Sequence, residues 1–414
     1  MSKDKLHLFE AVGVELEYMI VDRETLAVRP IADQLLHQVA GEYTNQIERG
    51  VISWSNELVL HVIELKTNGP ARSLEGLHRA FQEEVNHINQ LLEAHNAMLL
   101  PTAMHPLMDP YKEMKLWPHE YNPIYEAYNR IFDCRGHGWA NLQSTHINLP
   151  FSGDEEFGKL HAAIRILLPV LPGIAASSPI ADGAPTGFMD YRMEVYRTNS
   201  QKVPSVMGYI VPEAVFSQAE YNDVIFQKMY QDIAPYDPEV LLQEEWLNSR
   251  GAIARFDRGS IEIRVLDIQE SPLVDIALVR FIADSLRALV QEQFCPIEAL
   301  KDWDEQSLYE ILLQVIKHGE KALLPPEYCR SFGINSDSKV QVGDFWTHIF
   351  ETLYSAEEVK SEEQLTTLEQ VLELGSLSCR ILTSQQDWNR TTISSVYRTL
   401  SNTLSEGTVF NSHG

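Results

Sequence analysis

Apolar and polar residues alternate with a period of two in four stretches of the chain and recur every three or four residues in several others. Gly13 to Val21 is the first of the alternating kind. Val14, Leu16, Tyr18 and Ile20 fall on one side of an extended segment, and Glu15 and Glu17 emerge together on the other. Leu58 to Leu65 reads as a second strand, closed by the turn chemistry of Asn68-Gly69-Pro70. Leu142 to Leu149 and Ser260 to Leu266 repeat the pattern. Leu74, Leu77, Phe81, Val85, Ile88 and Leu92 lie on one helical face, which predicts a helix from an N-cap at Ser73 to about Ala97. Shorter helical patterns cover 31–40 and the residues after Asp154, the latter broken by Pro169 and Pro172. Beyond residue 270 the periodicity is helical almost throughout, at 273–293, 305–318, 356–374 and 388–405.

Strands in the first two-thirds, outside any regular βαβ alternation, predict an α+β fold with a mainly antiparallel sheet and covering helices. The expected organisation is one domain over 1–414, with a sheet-rich part at 1–270 and a mainly helical part at 271–405. Residues 101–138 mix Pro, Trp, Tyr and His and are expected to be loop-rich with one short helix. A polar loop from Ser177 to Gly187 separates apolar elements, a position that commonly carries function.

Charge narrows the partners. With 33 basic against 59 acidic residues the formal charge is −26, which argues against nucleic acid or an anionic membrane surface. An anionic ligand would need locally clustered arginines or metal ions. Cys134, Cys295, Cys329 and Cys379 show no CxxC spacing and read as free thiols of a reducing compartment. The N-terminal residues lead to no signal-like apolar run, and Ile166 to Ala176 is too short and proline-broken to span a bilayer. A cytoplasmic protein is expected.

Each strand offers chemistry and a plainer alternative. Glu15 and Glu17 are costly to desolvate unless a divalent cation or an arginine sits against them; otherwise they form the wet side of an amphipathic strand. Glu57 and Glu64 are seven apart, an odd spacing that puts them on opposite faces of an ideal strand. Glu57 in an entry loop or at a bulge could turn back toward Glu64; alternatively Glu57 is surface and Glu64 pairs with a basic side chain. His146 and Asn148 share a face, where the imidazole could meet a metal or a phosphate, or be a structural hydrogen-bonding group. Glu262 and Arg264 also share a face, either as an ion pair within the sheet or with Arg264 free to grip a phosphate or carboxylate. Arg255 and Arg258 lie just upstream, and Arg192 follows the polar loop as a candidate anion contact. P-loop, GxGxxG, GxSxG and HExxH motifs are absent.

Taken in order, Gly13-Val14-Glu15-Leu16-Glu17, Asn56-Glu57 through Glu64, Thr145-His146-Ile147-Asn148, Ala176-Ser177-Ser178-Pro179 with Asp182-Gly183, Tyr191-Arg192, and Gly259-Ser260-Ile261-Glu262-Ile263-Arg264-Val265-Leu266-Asp267 resemble the glutamate–cysteine ligase family, in particular the carboxylate–amine ligases of its second group. Gly375-Ser376-Leu377 with Arg380-Ile381-Leu382 extends the resemblance to about residue 400. It implies the glutamine synthetase/guanidino kinase fold, a sheet curved into a saddle or half-barrel with helices on its outer face. It also implies ATP and two or three Mg2+ ions, with Mn2+ as a substitute.

By position, Glu15, Glu17, Glu57, Glu64, His146 and Glu262 match the metal and nucleotide ligands. Arg264 matches the phosphate-facing arginine, with Glu262 and Glu15 beside it as catalytic groups. Arg258, Arg192 and His146 are expected at phosphate, and Asn148, Arg192 and Tyr191 at substrate. The implied reaction phosphorylates a glutamate-like carboxylate and lets an amine, cysteine first among them, attack the acyl phosphate. That would place the protein in glutathione biosynthesis, acting on small molecules, with a homodimer expected from relatives. A phosphotransferase of guanidino-kinase type and an inactive nucleotide- or metal-binding regulator are the alternatives on the same fold.

Overall fold

The computed structural model describes residues 5–411. Eight strands form its main sheet: β1 (Gly13–Asp22), β2 (Gln46–Arg49), β3 (Ile52–Asn56), β4 (Val62–Thr67), β5 (Ala97–Leu100), β6 (Ser144–Pro150), β7 (Ala252–Arg255) and β8 (Ser260–Asp267). Their order is β2-β3-β4-β1-β6-β8-β7, with β5 added beside the far end of β1. Every pairing in it is antiparallel. The principal helices are α1 (Ala32–Ala40), α2 (Leu77–Leu92), α3 (Asn122–Phe132), α4 (Gly153–Leu167), α5 (Tyr191–Tyr196), α6 (Pro272–Val290), α7 (Glu305–His318), α8 (Val342–Leu353), α9 (Glu363–Leu374), α10 (Leu377–Thr383) and α11 (Arg390–Glu406). The α+β class and antiparallel sheet expected from the sequence are observed.

Several boundaries differ from the sequence reading. The second strand begins at Val62, not Leu58, because Leu58 to His61 form a turn that buries Val59 and Leu60. The strand before it, β3, was not anticipated: Ile52-Ser53-Trp54-Ser55-Asn56 alternates but is only five residues long, and both of its faces are buried. Ser73 does not cap α2. Its hydroxyl accepts from the Glu75 amide, and the helix starts after Gly76, whose φ of 70° suits glycine. Residues 101–140 hold not one short helix but three helical segments, Pro110–Glu113, α3 and His137–Ala140. Pro169 and Pro172 do break the helix after α4 into short turns. All four cysteines are free, and no helix among the described residues is long and apolar enough to cross a membrane.

The two faces of the sheet have different neighbours. Val14, Leu16, Tyr18 and Ile20 of β1, with Ile63 and Leu65 of β4, Ile147 and Leu149 of β6, and Ile261 and Ile263 of β8, belong to one apolar core. Phe81, Val85 and Ile88 of α2 and Val274, Leu278 and Phe281 of α6 join the same core. On the opposite face the strand is divided. Met19 and Val21 pack with Val62 and Leu100 into a second core closed by Leu377, Ile381, Ile393, Val396 and Leu400 of α10 and α11. The C-terminal helices therefore serve both faces, where the sequence suggested that they cover one. Glu15 and Glu17 occupy the remaining part of that second face.

Between sheet and α6 lies Asp275, only 1% exposed. Burial pushes its carboxyl up to about 8, against the hydrogen bonds from Thr145 (2.6 Å) and the Gln269 amide (3.1 Å). A carboxyl raised in the folded state favours folding below its unfolded value near 4 and loses that advantage as pH climbs to about 8. Asp275→Asn keeps an acceptor for both donors without the charge. Relative to wild type, the variant should gain about 2–5 kcal/mol of stability between pH 4 and pH 8. Urea unfolding across that range measures it; a difference independent of pH would refute it.

Candidate active site

Register sets the site. β1 lies between β4 and β6, with Glu15 opposite Lys66 on one side and His146 on the other, and Glu17 opposite Glu64. On β8, Glu262 pairs with Asn148. The side chains of Glu15, Glu17, Glu64, His146 and Glu262 thus share one face across four adjacent strands. Glu57 joins them from the β3–β4 connection, one residue past the end of β3, which resolves its odd spacing from Glu64 as an entry-loop position.

These groups line a cavity of about 370 Å³. His146 Nδ1 is 2.9 Å from Glu15 Oε2 and 3.8 Å from Glu262 Oε1, and its Nε2 is 3.8 Å from Glu17 Oε1. Glu17 accepts from the Ser144 amide at 2.6 Å and the Ser144 hydroxyl at 2.9 Å. Glu64 accepts from the Ser55 hydroxyl and pairs with Lys66 Nζ at 2.7 Å. Arg264 Nη2 lies 2.5 Å from Glu262 Oε1, so the ion pair within the sheet is formed.

So dense a cluster of carboxylates in one cavity is electrostatically strained. Burial, reinforced by Glu64 and Glu17, drives the Glu57 carboxyl well above its usual range, and burial likewise raises Glu17. Burial also pulls upward on Glu15 and Glu262. For Glu15 the His146 hydrogen bond prevails, and for Glu262 the Arg264 charge does, so both end below the usual range. Burial alone would lower His146, but the hydrogen bond to Glu15 and the charges of Glu17, Glu15 and Glu262 bring it up to about 9. With Lys66 and Arg264, the His146 ring is one of the basic groups set against the cluster.

Two subsets have ligand atoms within 4.8 Å of one another: Glu15, Glu64 and His146; and Glu17, Glu57 and Glu64. Their donors are carboxylate oxygens with one imidazole, the set that a hard divalent cation prefers. Glu64 belongs to both.

Arginines flank the acids. Arg258 and Arg255 line the same cavity, Arg255 paired with Asp257 at 3.0 Å and Arg258 largely exposed. Arg192, from α5, also lines it. Two residues expected at substrate are not among those lining the cavity. Asn148 does not line the cavity; its Nδ2 donates to Glu15 Oε1 at 3.0 Å and so orients that carboxylate. Gly13 lets it do so, since any Cβ there would come 2.9 Å from Asn148 Cβ. Tyr191 does not line the cavity either, and its ring packs near Phe188 at 6.0 Å. Tyr196, one and a half turns along α5, lines the wall instead.

The sequence reading missed Lys66, Ser144, Tyr125, Trp139, Tyr196 and Asn199, all of which line the cavity. Lys66 and Ser144 were within reach, because each stands two residues from a candidate ligand on the same strand. Tyr125 comes from α3 and Trp139 from the short helix His137–Ala140, where no local spacing marks a wall residue.

Comparison with known proteins gives the family and the fold. The model of glutamate–cysteine ligase family 2 matches residues 11–397. An uncharacterized protein of Archaeoglobus fulgidus is 33% identical over 402 residues, spanning 96% of this chain and all of its own. A Rubrobacter xylanophilus protein with the provisional name glutamate–cysteine ligase 2-1 is 24% identical over 269 residues, 62% of this chain and 61% of that one. Among solved structures, the glutamate–cysteine ligase of Francisella tularensis in complex with AMP superposes with a TM-score of 0.59 at 16% identity, covering 96% of this chain and 89% of that one. At that identity the likeness establishes the fold.

Proposed function

We propose how this chain, which belongs to glutamate–cysteine ligase family 2, uses its cavity: as an ATP-dependent carboxylate–amine ligase that joins a glutamate-like acid to an amine, cysteine being the first candidate. The observation that carries this reading is the convergence of five glutamates and a histidine with four arginines around one cavity, in a chain whose overall charge repels anions. That the Francisella neighbour of the same fold was solved in complex with AMP supports a nucleotide among the ligands.

Glu15, Glu17, Glu57, Glu64, His146 and Glu262 would hold magnesium, which when bound neutralises phosphate charge and polarises the phosphoryl oxygens. His146 must give up its proton to serve as a ligand, so loading at neutral pH releases protons. Arg264, fixed by Glu262, stabilises the negative charge that builds on the transferred phosphoryl group and again on the tetrahedral adduct formed by the amine. Arg258 at the exposed rim meets the phosphate tail, and Arg192 the anionic group of the acid. Tyr125, Trp139 and Tyr196 exclude water from the acyl phosphate.

The test is ADP formation from ATP and Mg2+ with glutamate, with and without cysteine and a panel of other amines. ADP that depends on both acid and amine, with free phosphate and an amide in equal amounts, is expected. A stable phosphorylated product without phosphate release would identify a kinase, and no dependence on any acid or amine would defeat the ligase reading.

A further inference from the structure

Arg192 is 3% exposed and enters the cavity from α5, so its direction is imposed by what surrounds it. Its Nε donates to Asp267 Oδ1 and its Nη1 to the Arg264 carbonyl at 3.3 Å. Nη2 is left as a buried nitrogen with no hydrogen-bond partner among the described residues. An unpaired guanidinium N–H in a buried site is costly, and Arg192 lines a cavity that needs anion donors. Asp267 itself is fully buried at the end of β8 and held from three sides. Its Oδ2 accepts from the Ser177 amide at 2.8 Å and the Ser178 hydroxyl at 2.7 Å, while its Oδ1 takes Arg192. The Ser178 hydroxyl in turn accepts from the Arg192 amide at 3.0 Å. Strand end, serine pair and helix start are thereby tied to one carboxylate.

We infer that Asp267, seated by Ser177 and Ser178, is a positioning residue: it consumes the Nε edge of Arg192 and so turns Nη2 toward an oxyanion of the ligand. The inference rests on the ligase reading of the cavity. The oxyanion is a carboxylate or a phosphate oxygen, and the experiment tells which. Asp267 touches no ligand, and its effect passes through Arg192 alone.

The test compares wild type, Asp267→Asn, Arg192→Gln and the double variant. D267N should raise KM for glutamate or for ATP, whichever anion Nη2 meets, about tenfold, the scale of a misdirected charge-assisted hydrogen bond. Its kcat should stay within about threefold. A merely structural role would instead lower the active fraction, and with it kcat, at unchanged KM. In the R192Q background D267N should add nothing; an additive loss, or unchanged KM for both ligands, overturns the inference. Independently of turnover, the rise in Tm produced by inorganic phosphate and by glutamate is read on each variant. Wild type should respond to at least one, and R192Q and D267N should both lose that response. Equal responses in all variants, or none in wild type, overturn the inference. A lost response in a protein that shows no ligase turnover would strike the function and leave the positioning role standing. Should D267N fail to fold, Ser178→Ala removes one hydrogen bond from Asp267 and one from the Arg192 amide. About threefold weaker affinity, absent in the R192Q background, is then expected, and an unchanged affinity refutes the role.

Discussion

Glu64→Gln should cut acid- and amine-dependent ADP formation at least a hundredfold and weaken magnesium binding to match. Glu64 is the one carboxylate shared by both candidate cation subsets, so its charge contributes twice. It is also directly opposite Glu17 across the β1–β4 ladder, an arrangement of like charges that costs stability unless a cation lies between them. Glutamine has the same shape and can still accept from Ser55 and Lys66, so the strand pairing survives while the charge is lost. Removing one preorganised electrostatic contact in a water-poor site typically costs 10²–10³ in rate. Initial rates and magnesium titration calorimetry measure both effects. A variant within threefold of wild type in kcat, with equal magnesium affinity, would take Glu64 out of the site. Thermal unfolding in EDTA should change by only a few degrees, which separates loss of function from loss of fold.

The largest effect on stability is expected far from the chemistry, at Arg380→Met. Arg380 of α10 is 1% exposed and pairs with Glu270, which is wholly buried just after β8. The same guanidinium donates to the carbonyls of Gly375 at 3.0 Å and Phe410 at 2.9 Å, and Glu270 accepts from the Phe410 amide at 3.2 Å. Methionine fills most of the volume but leaves Glu270 as a buried charge with one remaining donor. Orphaning one partner of such a pair costs about 3–5 kcal/mol, whereas replacing both by apolar groups is often close to neutral. Arg380→Met combined with Glu270→Leu should therefore recover much of the single-variant loss, with urea unfolding as the measure. A loss under about 1 kcal/mol in R380M would mean that the pair is not desolvated in solution.

What could be read from the chain follows from how far each signal reaches. Alternation is local, and it correctly placed Glu15 with Glu17, His146 with its strand neighbours, and Glu262 with Arg264 on common faces. It was not followed at β3, a five-residue strand whose Ile52-Ser53-Trp54-Ser55 does alternate, and it misled at Leu58 to His61, where an apolar run is a buried turn. The bulge that separates the Ile263 and Leu266 pairings on β8 was equally invisible, because an extra residue is defined only against the partner strand. Direction was harder than face. Sequence expected Asn148 and Tyr191 at substrate; in the structure Asn148 orients Glu15, and the Tyr191 ring lies near Phe188. The cavity wall at Tyr125 and Trp139 depends on how two separate helical segments fold over the sheet, which no spacing within either encodes.

The divided face of β1 makes this strand unforgiving of insertion or deletion. Glu15 and Glu17 reach the cavity because Met19 and Val21, in phase with them, are locked under α10 and α11. Losing a single residue between Glu17 and Met19 would put the two halves out of step. Either the carboxylates would be driven among Leu16's core neighbours or the methionine would be turned out of its seat. Length changes among descendants of this chain should therefore accumulate in the 101–140 connection and spare residues 13–22, a constraint on spacing that operates even where side-chain identity is free to drift.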